Sequence, residues 1–233
     1  FDFRPYHVGA DLRNGMAIPP GAPEPQFETT FILRKNGVTR EFTLDNYPDS
    51  TWQFVDSRTV QTAEGYVPPI HDFSIQLCST GEDITQQVLD RKDYTFLLVS
   101  PWLDRADDSN FGDIDRIYEY AQDNHVPFLC LTASTPKAIR HWVDMTGAEY
   151  PFCITDATTL KTVIRSNPGL LLLKDGKVVR KWSHNRLPQG DELTAPIEKA
   201  GIGQMPDDYV PAKVLKIFLW YILPLLLLTL ADR

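Results

Sequence analysis

The 233-residue chain carries 31 acidic side chains against 23 Lys and Arg, a formal charge of −8. That balance excludes nucleic-acid binding, because phosphate contacts call for clustered Lys and Arg. Three cysteines, none in a Cys-x-x-Cys pair, exclude a zinc ribbon and a disulfide framework.

Hydrophobic residues make up 42% of the chain, enough for a packed core, and 18 prolines point to loop-rich parts. Phe1 opens the sequence without a basic-plus-apolar leader, so the chain is expected to be the remainder of a longer product. Residues 1–26 hold Pro5, Pro19, Pro20, Pro23 and Pro25 without a sustained period, and are expected to be an extended linker or a segment lying on a neighbouring surface. Residues 27–69 read as a small β-hairpin subdomain. Gln26–Leu33 and Val38–Leu44 alternate around Asn36-Gly37, a hairpin turn signal, and Trp52–Val55 supplies a third strand. A sheet this small needs something to pack against, and the domain that follows is the expected partner.

From residue 70 to residue 200 the pattern becomes alternating strands and helices. Phe73, Ile75 and Leu77 alternate as a strand, and Ile84, Val88 and Leu89 mark a short helix after Gly81. Tyr94–Ser100 (YTFLLVS) is a continuous apolar run of the kind found in a central strand. Ile114, Ile117, Tyr118 and Ala121 fall on one helical stripe, and Val126–Leu131 (VPFLCL) is the next buried strand. Thr135-Pro136 caps and opens a helix that carries Ile139, Trp142 and Val143 and stops at Gly147. Asp156 caps another, with Leu160, Val163 and Ile164. Pro168 then opens a strand of four leucines, Asp175-Gly176 turns it, and Lys177–Trp182 returns. The Asn167-Pro168 bond is either cis, in a tight turn, or an ordinary trans bond at a strand start. The fold class is therefore α/β.

Residues 201–213 read as a linker, with Gly201, Gly203, Pro206 and Pro211. Residues 214–230 are apolar all round, with Lys216 as their one charge, and are expected to form a short transmembrane helix. Lys213 and Lys216 precede the segment and Arg233 follows it, so the positive-inside signal does not favour a periplasmic domain.

From Asp72 to Trp182 the chain resembles the thioredoxin-like domain of the TlpA and peroxiredoxin kind. The matching pieces are DFSIQL, YTFLLVS, VPFLCLTAST with its helix, Tyr150-Pro151-Phe152, and the Asn167-Pro168 strand with its hairpin. The stretches FDFRPYHVGADL and GMAIP near the start, TLKTVIRSNPGLLLLKDG, and KWSHNRLP resemble the soluble part of bacterial DoxX-family membrane proteins. That resemblance implies preceding membrane helices, a last helix returning through the inner membrane, and a thioredoxin-like module on the periplasmic face. The thioredoxin-like resemblance implies a cis Asn167-Pro168 bond beside the loop Pro101–Asp107.

Where thioredoxins place Cys-x-x-Cys, this chain reads Ser100-Pro101-Trp102-Leu103-Asp104-Arg105-Ala106-Asp107, with no cysteine between Cys78 and Cys130. Dithiol exchange and peroxidatic chemistry both lose their usual residue. The expected function is accordingly a non-catalytic binding or assembly module, with a binding rim of Trp102, Asn167 and Pro168. It has no cofactor and no metal, and its partners are the membrane and a protein. The alternative is a thiol oxidoreductase with a displaced site, in which Cys130 and Cys153 face each other near Pro168; cysteines that only fill core space are the plainer reading. Cys78 has a lesser claim. Asp104, Asp107, Asp108, Asp113 and Asp115 surround Arg105 without calcium-loop spacing, and His7, His71, His125, His141 and His184 lack metal-ligand spacing.

Overall fold

The computed structural model describes residues 5–206 and Trp220. The chain divides into two compact units: Met16–His71 forms one, and the residues up to Gly15 together with those from Asp72 onward form the other. The membrane segment expected over 214–230 lies outside the described residues apart from Trp220. Among the described residues no helix is long and apolar enough to cross a membrane.

A short helix α1 (Leu12–Met16) precedes the smaller unit. That unit is an antiparallel sheet of β1 (Gln26–Lys35), β2 (Val38–Phe42) and β3 (Gln53–Ala63), in the order β2-β1-β3. Asn36 and Gly37 both adopt positive φ, as the tight hairpin requires. The third strand is far longer than Trp52–Val55 because it pairs along almost the whole of β1, from Gln26↔Ala63 to Arg34↔Gln53. Register puts Phe31 opposite Phe42 and Leu33 opposite Phe54, so these apolar residues share one face. Edge-on ring contacts of Phe31 with Tyr47 (5.0 Å) and Phe42 with Trp52 (4.9 Å) extend that face.

The larger unit is built on a six-stranded sheet. In chain order its elements are β4 (Gln76–Leu77), α2 (Thr85–Asp90), β5 (Tyr94–Val99), α3 (Phe111–Asp123), β6 (Phe128–Thr132), α4 (Pro136–Thr146), β7 (Phe152–Ile154), α5 (Ala157–Val163), β8 (Gly169–Lys174) and β9 (Lys177–Ser183). The sheet runs β4-β7-β6-β5-β8-β9. β5, β6 and β7 are parallel, whereas β8 pairs antiparallel with β5, β9 with β8, and β4 with β7. A βαβ unit joined through α5 to a β-hairpin, with Asn167-Pro168 cis at the start of β8, is the thioredoxin-like arrangement.

Local sequence explains the helix ends. Thr135 Oγ1 accepts from Ala138 N, Pro136 takes the first position of α4, and Gly147 ends it in the left-handed region. Asp156 Oδ1 accepts from Thr159 N at 2.9 Å and caps α5. Every residue of β5 is buried, since helices cover both faces of the sheet. Phe96, Leu98, Cys130, Leu170 and Leu172 share one core with Ile114 and Ile117 of α3 and Trp142 of α4.

The larger unit reaches beyond the boundaries expected at both ends. Residues 9–12, expected as linker, run along the free edge of β9: Gly9 N donates to Val178 O, Val178 N to Ala10 O, and Leu12 N to Gly176 O. Arg13 then holds the hairpin turn, donating to Asp175 O at 2.6 Å and pairing with its carboxylate at 3.0 Å. At the other end, Ile197, Ala200 and Ile202 join the core, and Tyr94 Oη donates to Gly203 O at 2.9 Å. The N-terminal segment pairs the otherwise open ladder of β9, and the C-terminal one accepts the Tyr94 hydroxyl proton.

A Cβ added at Gly203 would sit 2.0 Å from the Ile197 carbonyl oxygen. Gly203→Ala should therefore lower stability in urea unfolding by about 1–3 kcal/mol, the usual range for overpacking.

Candidate functional site

Ligand sites in open α/β sheets form outside the carboxyl ends of the strands. Here that end of β5 and β6 is closed by the loop Ser100–Asp107, which includes a short 3₁₀ turn at Leu103–Arg105. One residue holds most of it. Asn167 Oδ1 accepts from the fully buried Ser100 hydroxyl at 2.7 Å, and Nδ2 donates to Trp102 O at 2.9 Å. Its backbone carbonyl accepts from Asp107 N at 2.9 Å. On the β6 side, Leu103 N donates to Ser134 Oγ at 2.9 Å and Ala133 N to Pro101 O at 3.2 Å. The structure thus brings Trp102, Asn167 and Pro168 to one corner at the loop.

Trp102 is half-buried and carries two cations. Lys161 Nζ lies 4.9 Å and Arg105 Cζ 5.4 Å from its ring centroid. Beside it opens a groove of about 480 Å³, floored by Ala133 and Ala138 and edged by Asp104, Thr135, Lys137 and His141.

The loop's far end meets a group that sequence reasoning missed. Asp107 Oδ2 lies 3.3 Å from His184 Nε2, and His184 Nδ1 lies 2.9 Å from Ser166 Oγ. By residue type this is the set of a hydrolytic triad. However, Ser166 Oγ accepts from His184 N at 2.9 Å and donates to Pro168 O at 2.5 Å. Its proton is committed to a carbonyl, so the imidazole has none to remove, and the three side chains act as a clamp. Asn110 Nδ2 adds a bond to His184 O at 2.9 Å. The Asp107 carboxyl is held below its usual range, first by the Ser109 hydroxyl and N–H, with His184 adding to the effect. No spacing rule joins residues 107, 166 and 184. The only sequence signal was that Ser166 and His184 fall within stretches of the DoxX resemblance.

The cysteines do not make a site. Parallel register pairs Cys130 with Phe152 and Leu131 with Cys153. Paired residues share a face and neighbours along a strand alternate, so Cys130 and Cys153 point to opposite faces of the sheet. The displaced dithiol expected as an alternative is therefore corrected: no disulfide can form through a strand layer. Burial pushes the Cys153 thiol up to about 12 and the Cys130 thiol well above its ordinary value, which keeps both protonated at neutral pH. Cys78 is exposed, and partial desolvation raises its pKa too.

Comparison with known proteins gives the following. The family described as a domain of unknown function (DUF8463) matches residues 27–64, the smaller sheet. No curated protein matches the chain. A thioredoxin-like protein from Aeropyrum pernix is 17% identical, with 55% of this chain and 89% of that chain covered and a TM-score of 0.39. A secreted disulfide oxidoreductase from Mycobacterium tuberculosis is 15% identical, with 53% and 92% covered and a TM-score of 0.38.

Two outcomes follow from this geometry. Asn167→Ala would strand the buried Ser100 hydroxyl and free the Trp102 carbonyl. It should cost about 1–3 kcal/mol in urea unfolding, with faster amide exchange at Asp107. Iodoacetamide at about pH 8 should modify Cys78 in the folded chain and reach Cys130 and Cys153 only after unfolding, as mapped by mass spectrometry.

Proposed function

We propose that the larger unit is a thioredoxin-like module that works by binding a protein partner and not by thiol exchange, as the extracytoplasmic part of a DoxX-type inner-membrane protein. One observation carries this reading. The loop that would present a reactive dithiol contains no cysteine, and its polar groups are spent on holding it shut against Asn167, Ser134 and His184. A thiol enzyme needs an exposed, low-pKa cysteine. What this corner presents instead is an aromatic ring, flanking cations and a groove. The apolar stretch 214–230 supports membrane anchoring, and the DoxX resemblance supports the periplasmic side.

The purified chain should not accelerate insulin reduction by dithiothreitol, and a rate approaching that of thioredoxin would overturn the reading. A photoreactive phenylalanine at position 102, in the parent membrane, should crosslink one discrete protein, whereas the same probe at Arg116, on the outer side of α3, should not. Full-length chain should stay with carbonate-washed membranes, and a chain ending at residue 212 should be released.

A further inference from the structure

We propose that the groove beside Trp102 docks an acidic peptide segment of the partner, one that sets a leucine-sized or aromatic side chain between carboxylates. This rests on the binding-module reading above and gives the chemistry of its ligand.

Charge is the first support. Lys137 edges the groove, and Lys161 and Arg105 stand over the Trp102 ring that forms one wall. Among the described residues none of these three makes an ion pair, so their charges are free to meet a ligand's. Asp104 is the one carboxylate at the groove, and it too has no ionic partner among the described residues. Lys137 and Asp104 balance along the groove itself, and the two cations on the Trp102 ring make the corner net positive on a chain whose formal charge is −8. Such a patch steers and selects by complementarity, and like-charged ligands are turned away by the rest of the surface.

Pre-organisation is the second. A cation above an aromatic face is held there by the ring quadrupole while its N–H donors stay available. Lys161 and Arg105 therefore need little ordering to meet a carboxylate, which lowers the entropic cost of docking. Asn167 holds the backbone of the loop that carries the Trp102 ring.

Shape is the third. At about 480 Å³ the groove is large enough for an apolar anchor together with its neighbours in a short peptide, above Ala133 and Ala138. An apolar anchor fits the floor and flanking carboxylates reach the rim.

The test uses the full chain in detergent and fluorescein-labelled octapeptides that alternate leucine with glutamate, glutamine or lysine. Fluorescence polarisation should show the glutamate peptide at least about tenfold tighter than the glutamine peptide. That advantage should shrink severalfold between about 50 and 500 mM salt, as screening requires. Asp104→Asn should tighten the glutamate peptide. Lys137→Glu with Lys161→Glu, both exposed positions, should invert the preference towards the lysine peptide, with unchanged circular dichroism showing that the fold is kept. Equal affinity for the glutamate and glutamine peptides, or no binding of either, overturns the acidic-peptide proposal. Neither result touches the binding-module reading, which the reductase and crosslinking measurements decide separately.

Discussion

The candidate site depends on the side chain of one asparagine. An amide offers a donor and an acceptor about 2 Å apart, and Asn167 uses both within the same loop: the acceptor for the Ser100 hydroxyl, the donor for the Trp102 carbonyl. Its own carbonyl then receives the Asp107 N–H. The two ends and the middle of the Ser100–Asp107 loop are thus referred to a single residue at the head of β8. Buried polar groups that are fully paired define one arrangement sharply, because every alternative leaves a donor or acceptor unmet. The position of the Trp102 ring, the groove wall it makes and the reach of Asp107 to His184 all follow from that arrangement.

A dithiol protein puts its leading cysteine at a helix N-terminus, where the macrodipole favours the thiolate. Here the corresponding stretch is a 3₁₀ turn, and α3 starts only at Phe111. Asn110, which precedes α3, spends its side-chain amide on the His184 carbonyl and leaves the first turn uncapped. Asp113 offsets the exposed amide dipoles and pairs with Arg116 at 2.6 Å. The replacement is therefore more than a lost pair of sulfur atoms. The backbone differs too, since no helix N-terminus stands at this position.

Most of the larger unit was legible in the sequence because its signals are local. Four consecutive leucines, Asp175-Gly176, Thr135-Pro136 and the Asp156 cap each fix an element from within a few residues, and the order of those elements fixes the thioredoxin-like arrangement. The missing slot cysteines could be read in the same way. What could not be read depends on register and on distant pairing. The separation of Cys130 from Cys153 says nothing of which faces they take, since a shift of one residue in strand pairing reverses the answer. The edge contacts of residues 9–12 and the packing of Ile202 and Gly203 carry no periodic pattern, so sequence alone does not assign them to the domain. β3 was read as a short strand because Asp56, Ser57, Arg58 and Thr59 break the apolar alternation, although their backbone pairs with β1 throughout.

Function in such a module is found in whichever groups the fold has left unused. The Ser166–His184–Asp107 set is catalytic in composition, yet each member is consumed: the serine proton by Pro168, the serine lone pair by His184 N, the carboxylate by Ser109 and His184. The buried thiols are consumed in another sense, since desolvation keeps them protonated. Around Trp102 the accounting reverses. Lys137, Lys161 and Arg105 stand there against one carboxylate, Asp104, and none of the four has an ionic partner among the described residues. Leaving like charges together on a surface costs free energy unless something of opposite sign is met there. The cations around Trp102 stay available to a ligand of opposite sign, and the acidic-peptide proposal rests on that availability.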